Sequence, residues 1–98
     1  MNAILLDKLN DFFEEQPVDK VWLFGSYARN QETKESDVDL LVRFKDGAKI
    51  TLFIYSSIVN NLEKIFNKKV DLVEETQLKD FARASAEQDK HIIYERRS

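Results

Sequence analysis

The sequence predicts one small α/β domain, a mixed β-sheet with helices packed on it. Short β-branched and aromatic runs, KVWLF (20–24), DVDLLVRF (37–44), KVDLV (69–73) and HIIYE (91–95), are each bounded by polar residues. Between them lie segments whose apolar residues recur at helical spacing, and that alternation means a sheet covered by helices. The chain has 98 residues, 43% of them apolar, which is enough for one core and too few for two. A single domain over 1–98 is therefore expected.

Leu5, Leu9, Phe12 and Phe13 share one helical face and Pro17 stops the run, predicting a helix over about 2–15. In the first strand Trp22 and Phe24 alternate with Val21 and Leu23, and Trp22 and Phe24 read as core. Gly25 to about Asn30 reads as the opening of a short helix, and QETKES (31–36) as a polar loop. That connection is short enough for the second strand, 37–44, to return antiparallel, and the KDG turn (45–47) ends it. Apolar residues at 52, 55, 58, 59, 62, 65 and 66 predict a helix over 49–66, which Asn67 suits as a left-handed stop. After the third strand, Thr76 reads as the cap of a last helix carrying Leu78, Phe81, Ala82 and Ala86. HIIYE is the final strand.

Composition removes several function classes. The net charge of −3 and the scattered Lys and Arg argue against a broad basic face for nucleic acid. With no cysteine, disulfides, thiolate metal sites and cysteine nucleophiles are excluded. The opening MNAILLDKLNDFF lacks the basic and apolar regions of a signal peptide, and no apolar stretch approaches the roughly 18 residues of a membrane span. A cytoplasmic protein is expected.

The chemistry concentrates in SDVDLLV. Residues two apart in a strand point the same way, so Asp37 and Asp39 share a face while Val38 and Leu40 enter the core. Two such carboxylates repel unless a cation lies between them, and a hard divalent ion with oxygen ligands fits. Asp71, set among Val70, Leu72 and Val73, is unfavourable in a strand without a partner. If the third strand lies beside the second, Asp71 completes a three-carboxylate cluster for one or two metal ions. Either device alone is common on exposed strand faces.

FGSYARN (24–30) adds the complement. A strand running into Gly25 and Ser26 presents backbone N–H groups and a hydroxyl to an anion, with no β-carbon at Gly25 to block approach. There is no Walker lysine and no repeated glycine pattern, so neither a P-loop nor a dinucleotide fold is supported. Joined to the carboxylates, the turn makes a site for a nucleoside triphosphate with Mg²⁺.

The succession GSYARN, SDVDLLV, KVDLV resembles the signature of the DNA polymerase β-like nucleotidyltransferases, over essentially the whole chain. The small size is similar to the minimal nucleotidyltransferase (MNT) domains, the antitoxin halves of HEPN/MNT toxin–antitoxin pairs. The resemblance implies that Gly25 and Ser26 contact the triphosphate, that Asp37 and Asp39 hold two Mg²⁺ ions, and that Asp71 helps bind the ion that activates the acceptor hydroxyl. Arg29 also matches; its role stays open between a phosphate or partner contact and a surface ion pair. One departure is Asn30, where the family carries Gly; Asn tolerates left-handed dihedrals.

The implied reaction is transfer of AMP from ATP to a tyrosine of a cognate HEPN ribonuclease toxin, the acceptor being supplied by a partner. The alternative is a non-catalytic antitoxin that neutralises by masking. Phe53, Ile54 and Tyr55 in succession widen the apolar face of the long helix beyond one core stripe, which suits partner binding or deeper burial. His91, the single histidine, reads as ordinary surface, and Tyr27, Tyr55 and Tyr94 are not distinguished as self-modification targets.

Overall fold

Asn2 starts the first helix, its Oδ1 accepting from the Leu5 N–H at 2.8 Å. In the computed structural model, which describes residues 1–78 and 90–97, this helix, α1, spans Ala3–Glu14 and buries Leu9 and Phe13. Strand β1 (Val18–Phe24) follows, then β2 (Val38–Phe44), helix α2 (Leu52–Phe66), β3 (Val70–Glu74) and β4 (His91–Glu95).

The sheet order is β3-β2-β1-β4. β1 pairs antiparallel with β2 and with β4, and β2 pairs parallel with β3. Thus the antiparallel return and the neighbouring third strand both hold. Val21 and Leu23 of β1, Leu40 and Val42 of β2 and Leu72 of β3 meet Leu9, Phe13, Ile58 and Leu62 of the helices in one core. Alternation sends the intervening residues to the other face, where Trp22 and Leu41 form a smaller cluster flanked by half-buried Phe24 and Val73. Trp22 is buried as expected, and Lys20, Arg43 and Lys90 stand 5.2, 5.2 and 4.6 Å from its ring.

Helix α2 begins later than its periodicity suggests. Thr51 caps it, accepting from the Ile54 N–H at 3.1 Å, and Asn67 ends it in the left-handed conformation (φ 56, ψ 38). Leu52, which the spacing assigns to the packing stripe, is 81% exposed, and Phe53 is 83% exposed. Periodicity reports direction around a helix axis, not how far along it the packing partner extends.

Two other expectations change. Residues 25–30 form turns and no helix. Thr76 lies inside a single 3-10 turn, Glu75–Gln77, whose N-cap position is Glu74. The last helix expected over Leu78, Phe81, Ala82 and Ala86 lies, after Leu78, outside the described residues.

Arg96, just past β4, closes the far end of α1. Its guanidinium donates to the carbonyls of Phe13 (3.1 Å), Glu14 (3.2 Å), Gln16 (3.0 Å) and Val18 (3.0 Å). These include the last helical carbonyls, which have no partner within the helix. Arg96→Ala is expected to lower stability by about 1–3 kcal/mol, because partly exposed charge-assisted bonds are lost and water replaces some of them. Urea denaturation measures this; a loss below about 0.5 kcal/mol would show that the carbonyls are as well served by solvent.

Candidate active site

β2 carries the first acids. Val38 and Leu40 are fully buried against the helices, so Asp37, immediately before the strand, and Asp39 project onto the opposite face. Asp37 is exposed and Asp39 half-buried. In the parallel ladder Asp39 stands directly beside Asp71 of β3, and on its other side beside Phe24, the last residue of β1. The chain therefore brings the three sequence-predicted acids to one region of one face.

Their electrostatics agree. The Asp39 carboxyl is raised above its ordinary range, first by burial, then by the negative charges of Asp71 and Asp37, with Arg29 opposing them. Arg29 is exposed on the turn that follows β1, and its Nε donates to Gln31 Oε1 at 3.2 Å.

Gly25 explains how Asp39 is seated. Its φ of 74 places it in the left-handed region. A β-carbon there would overlap Asp39 Oδ2 and press on Cγ (3.2 Å) and Cβ (3.3 Å) of the same side chain. The missing side chain at Gly25 is thus filled by the carboxylate group of Asp39.

The turn itself closes by backbone bonds, Arg29 N–H to Gly25 O (3.2 Å), Asn30 N–H to Tyr27 O (3.3 Å) and Gln31 N–H to Ser26 O (2.8 Å). The amides of Ser26, Tyr27 and Ala28 donate to none of these carbonyls. So the turn keeps the leading amides of a helix start without continuing as a helix. Asn30 takes φ 56, the left-handed conformation that its substitution for glycine must permit.

His91 is the residue that sequence reasoning missed. It is exposed, yet its Nε2 lies 3.0 Å from the Ala28 carbonyl oxygen, which can only accept, so the imidazole N–H donates. Nothing local signals a contact across 63 positions. Lys68 braces the turn elsewhere, with Nζ 2.9 Å from Lys34 O and 5.9 Å from the Tyr27 ring centroid.

Among the described residues no three His, Asp or Glu side chains converge closely enough to cage a metal ion unaided. A Mg²⁺ site does not require this, since that ion is held by one or two carboxylates with water and substrate phosphate. Asp37 and Asp39, with Asp71 adjoining, fit such an open site in charge and in ligand type.

The sequence profile of the nucleotidyltransferase domain matches residues 6–94. This chain is a member of the nucleotidyltransferase family. A Methanocaldococcus jannaschii chain, provisionally named a protein adenylyltransferase, is 35% identical over 82 residues, 83% of this chain and 80% of its own. The protein adenylyltransferase MntA of Thermococcus cleftensis is 33% identical over 79 residues, 81% of this chain and 78% of that one. In fold, the nucleotidyltransferase resembles the solved complex of a tri-AMPylated Shewanella oneidensis HEPN toxin with its MNT antitoxin. The TM-score is 0.70 at 15% identity, over 98% of this chain and 74% of that one. The expectation of a minimal nucleotidyltransferase fold is met.

Proposed function

We propose that this nucleotidyltransferase is a Mg²⁺-dependent protein adenylyltransferase acting as an antitoxin, which moves AMP from ATP onto a tyrosine of a HEPN-family toxin. The observation that carries this reading is the seating of Asp39 against Gly25 with Asp37 and Asp71 beside it. A carboxylate face and the glycine turn then meet at the end of β1. The adenylyltransferase names of its relatives and the AMPylated toxin of its structural neighbour support AMP as the group moved and a HEPN toxin as its receiver.

In this reading Ser26 and the turn's leading amides hold the triphosphate, with Arg29 beside them, and Asp37 and Asp39 would hold Mg²⁺ next to it. Bound Mg²⁺ would neutralise phosphate charge and lower the pKa of the acceptor hydroxyl. The tyrosine oxygen forms a bond to the α-phosphorus as the bond from that phosphorus to the bridging β-phosphate oxygen breaks, so pyrophosphate leaves and the hydroxyl proton passes to solvent beside Asp71. Asp71 is exposed on an edge strand, open to a hydroxyl brought by another protein. The exposed Leu52 and Phe53 supply apolar surface for such a partner.

Asp71→Asn separates this from inhibition by masking alone. The variant is expected to bind the toxin within about twofold of wild type while AMP transfer, followed by intact mass, falls at least a hundredfold, on the scale of ~3 kcal/mol of lost transition-state stabilisation. Transfer at the wild-type rate would remove Asp71 from the reaction. Neutralisation of the toxin by a variant that transfers no AMP would favour masking.

A further inference from the structure

Of the turn's carbonyls, those of Gly25, Ser26 and Tyr27 accept from amides of the turn itself. The Ala28 carbonyl instead accepts from His91, at the first residue of β4. β4 is an edge strand on the opposite side of the sheet from β3, and His91 pairs in the ladder with Leu23, two residues before Gly25. Leu23 packs into the helix-side core, so His91 approaches the turn from behind, away from the acids. From there it fixes the backbone between Ser26 and Arg29 without occupying space in front of the turn.

We infer that His91 is a positioning residue for nucleotide binding, a tether from β4 that holds the Gly25–Asn30 turn in its phosphate-receiving form. The inference rests on the nucleotide reading given above. The turn's own backbone bonds hold the carbonyls of Gly25, Ser26 and Tyr27, and the bond from His91 adds an anchor at Ala28 from outside it. Ordering the turn before ATP arrives removes that cost from binding.

The test compares His91→Phe, which keeps the ring's bulk without a donor, with His91→Gln, which returns an N–H at similar reach. Calorimetry with ATP and MgCl₂ should show His91→Phe weakening binding about threefold to tenfold, the weight of one net hydrogen bond, with His91→Gln recovering most of it. Independently of any nucleotide, the amides of Arg29, Asn30 and Gln31 should exchange with deuterium faster in His91→Phe, while amides in the centre of β1 and β2 stay as in wild type. Unchanged affinity and unchanged exchange at the turn would overturn the tether. Faster exchange with unchanged affinity would overturn its role in nucleotide binding and leave it a structural contact. Wild-type protein that binds no ATP would overturn the nucleotide reading and this inference with it.

Discussion

Replacing Asp37 and Asp39 together with Asn is expected to abolish Mg·ATP binding and to reduce AMP transfer at least about a thousandfold, without loss of stability. Both side chains face away from the core, which Val38 and Leu40 fill, so the substitution removes charge and little packing. The raised carboxyl of Asp39 fixes the direction of the stability change. A raised folded-state pKa means that the folded protein takes up a proton at Asp39 more readily than the unfolded chain does. Ionisation at neutral pH therefore opposes folding, and stability from this group rises as pH falls through its folded pKa. Removing the charge should leave the melting temperature equal to or above that of the wild type. Calorimetry and thermal melting on one preparation decide the matter. Equal Mg·ATP binding in wild type and double variant would defeat the assignment, while a collapsed melting temperature would show the acids to be structural.

The second large effect is expected at Gly25, with Gly47 as its internal control. Both glycines have left-handed backbones, φ 74 and 78, so alanine at either position should lose about 1 kcal/mol from dihedral strain. Their surroundings differ. An added β-carbon meets nothing within 4 Å at Gly47, but at Gly25 it meets the carboxylate of Asp39. Gly47→Ala should transfer AMP at close to the wild-type rate. Gly25→Ala should lose at least about a hundredfold, because Asp39 must leave its place, and the overlap with the Asp39 side chain costs a further 1–3 kcal/mol in melting. Equal transfer by the two variants would show that the Gly25–Asp39 contact has no part in the reaction.

That contact changes how Gly25 is understood. From the sequence, the glycine clears room for the triphosphate; in the fold, it first clears room for Asp39. A strand pattern gives the side on which Asp37 and Asp39 lie, because alternation is local, and β2 shows them there. It gives the pairing of Asp39 with Asp71 only as a condition on sheet order, which the parallel ladder meets. It cannot give close approach between Gly25 and Asp39, since that depends on the register of β1 against β2, where Phe24 stands opposite Asp39. The same limit hid His91, whose partner carbonyl belongs to backbone and leaves no mark on the identity of residue 28. The short helix expected after Gly25 failed for a related reason. Its first turn forms, but Asn30 turns left-handed and ends it.

The position of β4 also sets an order of assembly. The carboxylates are gathered by β1–β2 pairing across a short loop and by the β2-α2-β3 unit, contacts that span modest lengths of chain. The bonds from β4 and Arg96 reach back across 63 to 83 positions, to the turn and to the end of α1. Longer closures cost more chain entropy and form more slowly. On a growing polypeptide, the acidic face can therefore organise while the residues that brace the turn are still being synthesised. Until they arrive, the outer edge of β1 has no neighbouring strand, a state prone to pairing with other chains. On the proposed reading, nucleotide competence is then acquired late, with the docking of a strand that contributes none of the acids.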